Sequence, residues 1–90
     1  MALEDFAMFR SIPGSVVLYP SDGVSAERAI ELVSNEKTCC YVRTSRPDFN
    51  ILYGNNEKFE IGKSKVVHKG KSIVIVAGGV TLHEALKIAN

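Results

Sequence analysis

The first apolar positions of the chain recur with a helical period. Leu3, Phe6 and Ala7 share a face with Arg10, and Met8 and Phe9 widen its apolar side. Glu4 and Asp5 fall in the first turn, where negative charge complements the helix dipole, and the Ser-Ile-Pro-Gly stretch at 11–14 ends the helix. Residues 16–19, Val-Val-Leu-Tyr, are too short an apolar run for a helix and lie between Gly14 and Pro20, which predicts a buried strand. A turn at 20–23 leads into a second helix that Asp22 or Ser25 can cap. Its apolar stripe is Ala26, Ala29, Ile30 and Val33, with Glu27, Arg28 and Glu31 toward water and Asn35 at its end. Residues 38–43 predict a second strand, in which Cys39, Cys40, Tyr41 and Val42 form a continuous apolar core.

Strand, helix and strand in this order make a βαβ unit with a right-handed crossover, whose continuous apolar strands suit a parallel sheet covered on both faces. The polar, turn-rich residues 47–58 follow. A change of pattern near 58–64 marks a domain boundary, so that residues 1–60 and 61–90 belong to different units. Residues 66–67 and 72–77 predict two more strands joined by a tight turn through Lys69, Gly70 and Lys71. After Gly78 and Gly79, the Thr-Leu-His-Glu stretch at 81–84 is a capping box, with Leu82, Ala85, Leu86 and Ala89 at helical spacing behind it. The fold class is therefore α/β: a partial parallel-sheet βαβ followed by β-β-α elements. The apolar stripe of the last helix has no following sequence to cover it, nothing precedes the first helix, and the sheet has open edges. The pattern is that of a cut-out rather than a complete domain, expected to be marginally stable alone.

Composition narrows the function more than the fold. A net charge of +1 gives no electrostatic case for nucleic acid or an anionic membrane. The lysines between Lys58 and Lys71 read as a solvated face. No apolar run approaches the ~20 residues that span a bilayer, and acidic Glu4 and Asp5 argue against a targeting peptide. Cys39 and Cys40 are adjacent and would point to opposite faces of a strand. They read as reduced thiols of a cytosolic protein, at least one of them packed in a core.

Ligands of open α/β sheets gather beyond the carboxyl ends of the strands. Two loops leave those ends, at residues 20–23 and 44–47. The second sets Arg46 beside two hydroxyls, a combination suited to a phosphate or carboxylate, and Pro47 restricts the backbone that carries it. The alternative is a surface arginine paired with a neighbouring acid such as Asp48. Arg43, on the strand itself, suits packing or a structural ion pair, and Asp22 suits a helix cap. His68 and His83 stand on different elements with no metal-ligand spacing and read as solvated surface residues. Gly78 and Gly79 lack the spacing of a phosphate-binding loop and read as a structural turn.

The stretches YPSDGVSAE, VRTSRP and GVTLHEAL, together with the segments around them, resemble transketolases of the animal type over essentially the whole chain. On that resemblance residues 1–60 are the C-terminal part of the pyrimidine-binding domain, and 61–90 are the linker and beginning of the C-terminal domain. The VRTSRP wording favours transketolase over the deoxyxylulose-phosphate synthases, which share the architecture.

The resemblance implies a cytosolic, homodimeric transferase that uses thiamine diphosphate and Mg2+. Such an enzyme moves a two-carbon ketol unit from a ketose phosphate to an aldose phosphate in the pentose phosphate pathway. Arg46 matches the family arginine that grips the phosphate of the sugar substrate. No catalytic, cofactor-binding or metal-ligating residue carries over. The family's catalytic glutamate, its stacking aromatic, and its metal and diphosphate domain lie outside this stretch. The isolated chain is therefore expected to be inactive and to bind no cofactor alone. A second expectation is a truncated, non-catalytic module that associates with a full-length subunit.

Overall fold

The structure is a computed structural model, and it describes residues 4–45 and 50–89. The elements run α1 (Asp5–Arg10), β1 (Val16–Leu18), α2 (Gly23–Ser34), β2 (Cys40–Val42) and α3 (Val80–Ala89). β1 and β2 pair in parallel, with Val16 opposite Cys40 and Leu18 opposite Val42. The expected βαβ unit is present, and the chain is an α/β segment. Flanking bonds extend the pairing: Val16 N donates to Cys39 O at 2.9 Å, and Arg43 N donates to Leu18 O at 3.0 Å. The Thr38 hydroxyl also donates to Gly14 O at 2.8 Å.

Both strands are only half-buried, and Cys39 is exposed, so the sequence-based expectation of a continuous apolar core at 39–42 is corrected. With two strands in the described sheet, neither is flanked on both sides. Both thiols are free.

α1 is held to the sheet by rings. Phe9 stacks on Tyr41 at 4.1 Å and 7°, while Phe6 lies 5.2 Å from Tyr19 and meets Tyr41 edge-on at 6.4 Å. Its covered side runs through Asp5, Phe6 and Phe9. Ala7 and Arg10, which the period placed with Phe6, are exposed. The rings select the side, because aromatic contacts offer more area than an alanine methyl.

In α2 the Asp22 side chain accepts the Ser25 backbone N–H, and the Ser25 hydroxyl reaches back to the Asp22 N–H, so the cap is reciprocal. Asn35 closes the helix as expected. The buried face is Val24, Ser25 and Ala29, whereas Ile30, expected within the apolar stripe, is 57% exposed.

The second half departs further. Residues 66–67 and 72–77 belong to no strand, and Ile73, Val74 and Val76 are more than four-fifths exposed. A strand requires a ladder partner for its N–H and C=O groups, and a lone two-stranded hairpin is marginal in water. α3 does form, but it starts at Val80, ahead of Thr81, the predicted cap. Thr81 sits inside the first turn, its hydroxyl donating to Gly78 O at 2.7 Å, and Glu84 pairs with Lys87 at 3.1 Å instead of reaching back.

Gly79 is buried at φ +58°, and a Cβ there would fall within the Tyr19 ring. Only glycine permits both this conformation and this approach. Gly79→Ala should therefore destabilise the chain by about 2–4 kcal/mol. Roughly half comes from the left-handed backbone and half from the overlap. Gly54→Ala, at a site with nothing within 4 Å, should be near neutral in the same denaturant titration.

Among the described residues the buried apolar side chains are Val24 and Ala29, and none of the larger ones is fully buried. Burial worth about 1.5–3 kcal/mol per large side chain is thus scarce against an ordering cost of about 1–2 kcal/mol per residue. Thermal unfolding of the free chain, followed by circular dichroism, should be broad and low. A sharp monomeric transition above ~60 °C would contradict this.

Candidate functional site

The parallel register brings Tyr19 and Arg43 side by side just past the carboxyl ends of β1 and β2, the edge at which α/β sheets gather ligands. The chain then continues as residues 20–23 on one side and Thr44–Ser45 on the other. Tyr19 sits at the centre of the edge. Its hydroxyl lies 3.3 Å from Ser45 Oγ and accepts the Val80 N–H at 3.3 Å. The Ser45 hydrogen bond holds the Tyr19 pKa below its ordinary value, against the opposing effect of burial.

Arg43 behaves as the sequence implied, as a structural ion pair. Its guanidinium lies 3.5 Å from Asp5 Oδ2 and over the rings of Phe6 and Tyr19, at 4.9 and 5.4 Å from their centroids. Tyr41 donates its hydroxyl to the same carboxylate oxygen at 2.5 Å. The Tyr41 hydrogen bond, aided by Arg43, lowers the Asp5 pKa, although burial opposes the charge; the same bond raises that of Tyr41. Local pattern assigned Asp5 only a dipole role, since its partners stand 36 and 38 positions away.

Asp22 is more than a helix cap. Oδ1 accepts the Ser25 N–H at 2.7 Å, while Oδ2 accepts the Leu52 and Tyr53 N–H groups at 2.6 and 3.0 Å. Burial disfavours its charge, but the hydrogen bonds from Ser25, Leu52 and Tyr53 outweigh this and leave the pKa lowered. Arg28, expected to face water, ties the same stretch to α2 by donating to Asn55 O at 2.7 Å.

His83 is not the solvated residue the sequence implied. It is half-buried, with Nε2 donating to Ser21 O at 2.5 Å, and so joins α3 to the same edge. His68 is exposed as expected, and Gly78–Gly79 serves as a structural turn. Of the lysine-rich stretch, Lys65 lies 4.8 Å above the Phe59 ring and 3.3 Å from Glu57. Arg46 lies outside the described residues, one position beyond Ser45. Among the described residues no three His, Cys, Asp or Glu side chains gather as a metal site, and no helix is long and apolar enough to cross a membrane.

This edge defines an α/β segment whose strand-end loops are pinned by polar contacts. Transketolase of Homo sapiens is 57% identical over 91 residues, covering 99% of this chain and 15% of that protein. Transketolase of Mus musculus matches at the same identity and coverage. Transketolase-like protein 1 of Bos taurus is 51% identical over 92 residues, covering all of this chain and 15% of that protein. No protein-family model matches. The chain belongs to the transketolase family and corresponds to a segment of those longer proteins, spanning 15% of the length of the curated relatives it matches.

Acid should expose the two buried carboxylates. Both have folded pKa values below the unfolded value of about 3.9. Their contribution is therefore complete above that value and lost as pH falls through the folded values. Denaturant titrations should give flat stability from pH 7 to 5 and a decline below about pH 4. Asp22→Asn should shallow that decline; an unchanged acid limb would mean that Asp22 is not held as a carboxylate.

Proposed function

We propose that this chain is the part of a cytoplasmic, homodimeric transketolase that binds the phosphate of the sugar substrate. The enzyme's reaction would be transfer of a two-carbon ketol unit from a ketose phosphate to an aldose phosphate, in the pentose phosphate pathway. The observation that carries the reading is the VRTSRP stretch, which leaves the carboxyl end of β2 in a chain that matches transketolases over 99% of its length. Arg46, next to last in this motif and followed by Pro47, holds the substrate phosphate through its planar, permanently charged fork.

Thiamine diphosphate with Mg2+, bound through other parts of the family's longer chain, would supply the carbanion chemistry. On this reading the segment's share of the work is positioning. A phosphate held far from the reacting carbon fixes where the aldehyde lies, and that remote binding energy is used to orient the sugar. The polar pins at Tyr19 and Asp22 keep the two strand ends in place while this happens.

The test is kinetic and belongs in a full-length transketolase carrying this segment. Arg46→Ala should lower kcat/KM for an aldose phosphate by roughly 2–4 kcal/mol, the scale of a lost charge-assisted contact with some misalignment. The unphosphorylated aldose should be much less affected. Arg46→Lys should recover only part of the loss, because an ammonium keeps the charge but lacks the fork. Equal losses on both acceptors would remove the phosphate-anchor role.

A further inference from the structure

Two ties, made across 61 and 62 positions of sequence, hold the start of α3 against the junction of β1 and α2. The Val80 N–H donates to the Tyr19 hydroxyl at 3.3 Å, and His83 Nε2 donates to Ser21 O at 2.5 Å. Beside them Gly79 lies so close to the Tyr19 ring that a Cβ would fall within it. No residue of α3 is buried, so its seat rests on these few contacts rather than on a covered apolar face. The seat is at the carboxyl edge of the sheet, just past Leu18 and Val42.

The Tyr19 hydroxyl has a second neighbour on that edge, Ser45 Oγ at 3.3 Å. One oxygen atom thus meets both the helix that starts at Val80 and the chain that leaves β2. A phenolic hydroxyl both donates and accepts, and Val80 takes up part of its acceptor capacity, so the contact open to Ser45 depends on whether Val80 is in place. We infer that the first turn of α3 is a strap laid across the carboxyl edge of the sheet, with the Tyr19 hydroxyl as the joint that links its seating to the position of Ser45. A seat made of two hydrogen bonds and one glycine contact opens by local unfolding, without loss of the βαβ unit. Among the described residues no helix or strand stands between Val42 and Val80, so the turn lifts without breaking a ladder. The coupling runs both ways: displacing Ser45 loosens α3, and lifting α3 loosens Ser45. The strap is independent of which residue binds the substrate phosphate.

Hydrogen exchange read by mass spectrometry tests this in a full-length transketolase carrying this segment. Tyr19→Phe keeps the ring against Gly79 and removes the joint. Peptides over residues 80–86 should exchange about five- to tenfold faster, the change that loss of one hydrogen bond brings, while those of α2 stay as they were. Ser45→Ala, whose hydrogen bond runs to Tyr19, should speed the same α3 peptides about two- to threefold. Made in the Tyr19→Phe background, it should add nothing. Lys87→Ala breaks the exposed pair with Glu84 and should leave the first turn of α3 unchanged. If Tyr19→Phe does not fold, His83→Ala takes its place. It cuts the second tie and should speed exchange over 80–86 and, through the joint, over 43–45.

The inference fails if Tyr19→Phe leaves residues 80–86 unchanged, or speeds α2 as much as α3. It fails equally if Ser45→Ala does not reach α3, or reaches it as strongly once the Tyr19 hydroxyl is gone. With His83→Ala, unchanged exchange over 43–45 would overturn it.

Discussion

A carboxylate taken out of water must be met by donors, and in this chain the donors come from far along the sequence. Asp22 stands where β1 gives way to α2. It collects one backbone N–H from its own helix and two from the stretch after residue 50. Asp5 does the same at the start of α1, collecting the hydroxyl of Tyr41 and the guanidinium of Arg43. Because unpaired buried charge is costly, these demands fix the relative placement of segments that share almost no fully buried apolar surface. The polar network acts here as a set of geometric constraints rather than as an addition to a large core.

The aromatic layer makes those constraints possible. Phe6, Phe9, Tyr19 and Tyr41 shield the Asp5–Arg43 pair on one side of the sheet, and Arg43 lies over two of the rings. Low local polarity strengthens each hydrogen bond that is made and penalises each that is not. The Tyr19 hydroxyl then carries the arrangement to the strand ends, where it meets Ser45 and the first turn of α3.

The exposed run Ile73–Val76 follows from the same physics in reverse. Those side chains have strand-like propensity but no ladder beside them among the described residues, and propensity without a partner does not make a sheet. The curated relatives are much longer than this chain, which spans 15% of their length.

Local rules were enough for what is local. The sequence alone determined the βαβ order, the caps of α2 at Asp22 and Asn35, the turn at Gly78–Gly79, the ion-pair role of Arg43 and the relationship to transketolases. These depend on period, neighbouring turn residues and motif wording, all readable within a short window. The choice of Phe9 over Ala7 on α1, the exposure of Ile30, and the starting residue of α3 turned on what each side chain meets across space. The remaining differences were wholly tertiary. Asp5 with Tyr41 and Arg43, Asp22 with Leu52 and Tyr53, and His83 with the Ser21 carbonyl join residues dozens of positions apart. A hydrogen bond over such a separation leaves no periodicity behind, so only the folded chain could decide which buried group finds which partner.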